Sequence, residues 1–141
     1  MKKMIKIILG LLLTTNLYYC ERAMDKKYPV YLINNAGHSI GCYFSLGGDY
    51  GILYPDTLLP TTNKYIVSEI KSGSRYIYDS GIEWVEIYSK LPQDTMSVFI
   101  FHSDTLKKYS WEEVRTGYKI LKRYDLSLDD LKKSNYTITY P

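Results

Sequence analysis

Met96 to Phe101 is the most apolar run outside the first twenty residues. A run this short, rich in Val, Ile and Phe, reads as a central strand. Shorter β-forming pieces surround it: Tyr28 to Ile33, Ser39 to Leu46, Tyr65 to Ile70, Arg75 to Tyr78 and Tyr136 to Tyr140. Each is aromatic or β-branched, and Pro29 is tolerable at a strand start. The turn Asn34, Asn35, Ala36, Gly37 predicts that the first two pieces pair as an antiparallel hairpin. Ser72, Gly73 and Ser74 predict a second hairpin from the next two.

Between the β pieces the period changes. Trp84, Ile87, Tyr88 and Leu91 stand at i, i+3, i+4 and i+7, which predicts a short amphipathic helix ended by Pro92. Glu83 and Glu86 then fall on its solvated face. Ser110, Trp111, Glu112, Glu113 is a capping-box pattern opening a helix to about Thr116, and Gly117 can close it. Tyr118 to Asp125 is compatible with helix or strand, strand being preferred. Ser127, Leu128, Asp129, Asp130 is another cap before Leu131. The expected fold is therefore α+β: mainly an antiparallel β sheet or sandwich of about seven short strands, with two or three short helices, in one domain over 28–141.

The first nineteen residues do not belong to that domain. Lys2, Lys3 and Lys6 precede the apolar run Ile7 to Leu13, and Thr14, Thr15 and Asn16 interrupt it. Met4 to Tyr19 would reach roughly 24 Å as a helix, whereas spanning a bilayer takes about 20 apolar residues. The segment reads as an export signal peptide over 1–19. Cleavage after Ala23 and an uncleaved anchor are the alternatives. Residues 20–27 are polar and read as a flexible tether. The net charge of +3 is that of Lys2, Lys3 and Lys6, so the chain from Cys20 onward is neutral. A neutral domain gives no argument for nucleic acid as a partner.

Leu17, Tyr18, Tyr19, Cys20 resembles a bacterial lipobox, with leucine three places before the cysteine, although Tyr19 occupies a position that is small in such proteins. The resemblance implies lipidation at Cys20 and attachment to the membrane through that lipid. Cys42, in the run Ile40 to Phe44, reads as a small buried residue. A Cys20 to Cys42 disulfide is the alternative if Cys20 carries no lipid. The C-terminal block also carries a resemblance: Val98 to Phe101, the Tyr109 to Glu113 cap, Ile120 to Leu131 and Tyr136 to Pro141. It is similar to small uncharacterised envelope lipoproteins of Bacteroidales-type bacteria. That similarity implies an outer-membrane lipoprotein, with a periplasmic or secreted protein as the alternative, and transfers no catalytic residue. Asp56-Thr57-Leu58, Asp94-Thr95-Met96 and Asp104-Thr105-Leu106 resemble the acceptor pattern of the O-glycosylation system of the same group, which implies Thr57, Thr95 and Thr105 as candidate acceptors. Asp and Thr are equally favoured in turns and caps by side chain to backbone bonds.

Motifs for catalysis are sparse. His102, Ser103 and Asp104 contain the letters of a hydrolytic triad, but neighbours on an extended chain point to alternate sides and do not converge. No HExxH, CxxC or dense acidic loop is present, so neither a metal nor another cofactor is expected. The glycine-rich stretch 47–51 lacks the Lys-Ser/Thr of a phosphate cradle and reads as a turn. Four basic doublets, Lys26-Lys27, Lys107-Lys108, Lys122-Arg123 and Lys132-Lys133, read as solvated surface. The 16 tyrosines are β-formers that can also stack on sugars or line a protein contact, with Tyr50 and Tyr54 as the candidate ligand platform. The expectation is a non-enzymatic binding or accessory module for an envelope protein or glycan. A hydrolase of envelope polymers is the competing class, and would bring His38 or His102 to an acidic residue in one pocket.

Overall fold

The computed structural model of the chain describes residues 28–47 and 53–141. The signal segment, Cys20, the tether and Tyr50 lie outside these residues. In chain order the elements are β1 (Pro29–Asn34), β2 (Ile40–Ser45), β3 (Val67–Ile70), β4 (Arg75–Asp79), α1 (Trp84–Tyr88), a 3-10 turn (Pro92–Asp94), β5 (Thr95–His102), α2 (Ser103–Lys108), α3 (Trp111–Thr116), β6 (Lys122–Ser127), α4 (Leu128–Lys133) and β7 (Thr137–Tyr140). The strands form two sheets, ordered β4-β1-β7 and β3-β2-β5-β6. All pairings are antiparallel except β1 with β7. This is the expected α+β sandwich, with four short helices among the described residues.

Neither expected hairpin forms. β1 pairs with β4 and β7, whereas β2 pairs with β3 and β5. The physical reason is Asn34, which is fully buried where the chain passes from one sheet to the other. Its Oδ1 accepts from Ala36 N at 3.0 Å, and its Nδ2 donates to the His38 carbonyl at 2.8 Å and the Ile70 carbonyl at 2.9 Å. The backbone adds Asn34 N to Ser74 O and Gly73 N to Asn34 O, and Ser72 Oγ donates to Ala36 O. Two corners are thus stitched together, so that β1-β2 and β3-β4 each cross from one sheet to the other. The turn residues signalled a change of direction, and the buried amide decides that it is a corner.

β5 is the central strand expected, and its two faces serve different cores. Met96, Val98 and Ile100 point between the sheets, with Val30, Leu32, Ile40, Cys42 and Leu131. Phe99 and Phe101 point to the other side, with Tyr43, Leu59 and Val114. That outer side is covered by α2, α3 and the segment leading to β3. Burial of about 1.5–3 kcal/mol per large apolar side chain makes the double-sided strand the main source of cohesion. Gly41 is needed here, because a Cβ would stand 2.5 Å from Leu106 Cδ1 and 2.7 Å from the Val67 carbonyl oxygen. The β2-β3 register shifts between Ile40 and Cys42, beside it.

The helix over Trp84, Ile87 and Tyr88 is shorter than the periodic pattern, ending at Tyr88. α2 was not signalled in sequence: its N-cap is His102, whose Nδ1 accepts from Asp104 N at 3.2 Å. Both serine caps form complete capping boxes, Ser110 with Glu113 and Ser127 with Asp130. Hydrogen bonds from the serines hold the Glu113 and Asp130 carboxyls below their ordinary values. A carboxyl depressed in the folded state stabilises above its unfolded pKa, and that contribution is lost as pH falls through the folded value. Melting temperature should therefore drop on acidification below about pH 4. Ser110→Ala/Ser127→Ala should melt lower at neutral pH and show a shallower acid drop. Thermal melts across pH read both effects, and parallel acid slopes in the two proteins would refute the assignment.

Candidate functional site

A cleft of about 380 Å³ opens where β1 begins, between α1 and the turn after α4. That volume lies at the small end of ligand pockets. α1 is fixed first. Trp84 is 3% exposed, its Nε1 donates to the Tyr28 carbonyl at 3.0 Å, and its ring lies 6.1 Å from Tyr78 and 6.3 Å from Tyr88. Held this way, the helix sets Glu83, its N-cap residue, at the cleft. Glu83 makes no cap bond; its Oε1 instead accepts from the Tyr28 hydroxyl at 2.8 Å. That bond raises the Tyr28 pKa above its ordinary value, so the phenol stays a neutral donor.

The opposite wall comes from Asn135 and Tyr136, both in the left-handed region with φ of 50° and 55°. For a tyrosine this conformation is uncommon and costs of order 1 kcal/mol or more. It is held by Tyr136 N donating to Leu131 O at 2.7 Å and Tyr31 N donating to Tyr136 O at 2.9 Å. The turn thereby brings Tyr136 and Tyr31 to one cleft. Tyr28, Tyr31, Trp84 and Tyr136 give four aromatic walls, and Glu83 and Asn135 give the polar groups. Such a set can hold a ring by its apolar face while hydrogen-bonding its edge.

Elsewhere the sequence candidates are placed as follows. Tyr54 lies over the Arg123 guanidinium, 5.8 Å from ring centroid to carbon, with Phe99 at 5.5 Å from the same carbon. Arg123 Nε donates to Asp125 Oδ1 at 2.6 Å, and Ser97 Oγ donates to that same oxygen at 2.6 Å. The Arg123 side chain is 12% exposed, so the Lys122-Arg123 doublet is not simply solvated surface. Tyr54 belongs to this packed network rather than standing clear as a platform. Thr57 is exposed beside Asp56, whose Oδ1 accepts from Leu58 N; Thr95 is half-buried and donates to Gln93 O; Thr105 is half-buried in α2.

His38 and His102 meet each other, stacked with centroids 4.4 Å apart and planes at 8°. Asp104 Oδ2 is 3.9 Å from His102 Nδ1, but that nitrogen already accepts the Asp104 N–H. Ser103 is buried and donates to the Ser68 carbonyl. His102, Ser103 and Asp104 therefore do not converge as a triad. Cys42 is a buried free thiol whose pKa burial pushes up to about 12, leaving it chemically quiet. A second cleft, about 290 Å³, lies against α2 and α3; Trp111 Nε1 at its wall is already bound to Pro60 O. Among the described residues no group of three or more His, Cys, Asp or Glu could hold a metal ion. Nor, among them, is any helix long and apolar enough to cross a membrane.

No family model, curated protein or solved structure matches this chain. What the aromatic cleft can hold therefore follows from its own groups. Sequence reasoning missed all of them as a site: Glu83 read as solvated helix face, Tyr28 and Tyr136 as strand formers. One local signal was available, since Glu stands where Ser, Thr, Asp or Asn would cap the helix.

Proposed function

We propose that the chain is an exported envelope lipoprotein, anchored to the outer membrane through Cys20, and that its domain is a non-catalytic module binding a sugar ring of an envelope glycan. The observation that carries the binding reading is the cleft itself, with four aromatic walls and two polar side chains on fixed elements. Export and lipidation rest on the signal-like first nineteen residues and the lipobox resemblance at Leu17 to Cys20. The tether adds geometry: seven residues separate Cys20 from Tyr28, a reach of at most about 29 Å. A cleft that begins at Tyr28 then works close to the membrane.

Two measurements on the full-length protein test this. Growth with a clickable fatty acid should label the wild type and not Cys20→Ala; labelling of neither would refute the anchor. Titration with envelope glycan fragments, followed by Trp84 fluorescence, should give saturable binding. Tyr136→Ala should weaken it about tenfold, the loss of one stacked aromatic contact. Binding unchanged in Tyr136→Ala would remove the cleft as the site.

A further inference from the structure

The charge pattern of the cleft narrows its ligand further, on the reading that the cleft binds a glycan. Among the described residues Glu83 is the only charged one lining it. It is also the exception among the glutamates described. Glu69 pairs with Lys107, Glu86 with Lys90 and Glu112 with Arg115, while Glu113 closes the Ser110 capping box. Glu83 has no cation within 4.0 Å among the described residues. Among the described residues its carboxylate accepts one hydrogen bond, from the neutral hydroxyl of Tyr28, where a carboxylate can accept several.

The surroundings of that carboxylate favour a cation and oppose an anion. Aromatic rings attract a positive group through their quadrupoles, and four of them line the cleft, although Tyr31 is already engaged by the Arg75 guanidinium, whose carbon lies 5.3 Å from its ring centroid. The next carboxylate along, Asp79, accepts from Tyr28 N and Gly81 N, so it is held beside the first residue of the cleft. Among the described residues no Lys, Arg or His lines the cleft to receive an acidic sugar or a phosphate. A protonated amine placed at Glu83 would gain a hydrogen bond between two opposite charges; an N-acetyl group there would bring a neutral N–H to the same carboxylate and gain the weaker ion-to-neutral bond.

We infer that the sugar recognised in the cleft carries a free, protonated amino group, and that Glu83 selects it over N-acetylated and acidic sugars. The test titrates the full-length protein with three oligosaccharide probes of equal length: β-linked glucosamine, its fully N-acetylated form, and galacturonic acid. The glucosamine oligomer should bind about tenfold tighter than the acetylated one, from the added attraction between opposite charges, and the acidic oligomer weakest. Glu83→Gln keeps an acceptor for the Tyr28 hydroxyl. It should lower affinity for the amine oligomer about tenfold and for the acetylated oligomer by less, so that the preference between the two collapses. Equal binding of the amine and acetylated oligomers, or an amine preference that survives in Glu83→Gln, would overturn the inference and leave the glycan reading standing. Failure of all three probes and of envelope glycan fragments to bind would overturn both.

Discussion

Asn34→Ala is expected to lower the unfolding free energy by about 2–4 kcal/mol, the cost of leaving several buried polar groups unsatisfied. The amide is fully buried and bonds Ala36 N, His38 O and Ile70 O. Alanine supplies none of these bonds, and water has no easy access to replace them. Urea denaturation should show the midpoint falling with the m-value unchanged. Asn34→Asp separates the parts of the effect: it keeps an acceptor for Ala36 N but sets a carboxylate against two carbonyl oxygens. Its folded-state pKa is then raised, so its penalty is largest at neutral pH and relaxes as pH falls into the carboxylate range. The neighbouring Asn35 is exposed, and Asn35→Ala should stay within about 0.5 kcal/mol of wild type. Equal stability of Asn34→Ala and Asn35→Ala would show that the corner does not depend on the amide.

That residue also marks where the fold stopped being legible in sequence. β5 could be read because five apolar residues in a run of six leave few alternatives, and the capping boxes because they are local, spanning Ser110 to Glu113 and Ser127 to Asp130. Strand pairing was not local. Asn34 to Gly37 has the composition of a hairpin turn, and long-range bonds, among them that from Asn34 to Ile70 across 36 residues, turn it into a corner between sheets. The parallel pairing of β1 with β7 joins strands from opposite ends of the domain, and no turn signal could announce it. α2 escaped notice because its cap is a histidine nitrogen rather than a hydroxyl or carboxylate.

The candidate site was illegible for a related reason. Tyr28 and Glu83 are 55 residues apart, and Tyr136 enters the cleft through a left-handed turn that its own identity disfavours. Read singly, each residue has an ordinary structural role. Their convergence requires α1 to be pinned by Trp84 and the turn after α4 to be pinned by Leu131 and Tyr31. The sequence singled out other tyrosines: Tyr54, which is engaged with Arg123, and Tyr50, which lies outside the described residues.

The division of the core by β5 leads to the second large effect. Phe101→Ala should cost about 3–5 kcal/mol, the usual loss for a buried aromatic ring replaced by a methyl group. Phe101 is fully buried against Trp111, with centroids 6.0 Å apart and planes at 71°, and clusters with Leu59 and Val114. Trp111 in turn holds Pro60 through its Nε1, so the cavity would loosen both α3 and the segment before β3. Hydrogen exchange should therefore show protection lost first at α3, on the outer side of the second sheet. The cleft stands on the other sheet, on β1, α1 and the turn after α4. Under conditions where the variant remains folded, its affinity for a cleft ligand should stay within about twofold, because sites this separate are close to additive. A loss of binding equal to that of Tyr136→Ala would mean that the two sides of β5 are coupled. A stability loss under about 1 kcal/mol would mean that the outer layer collapses readily onto the space the ring leaves, contrary to close packing on this face.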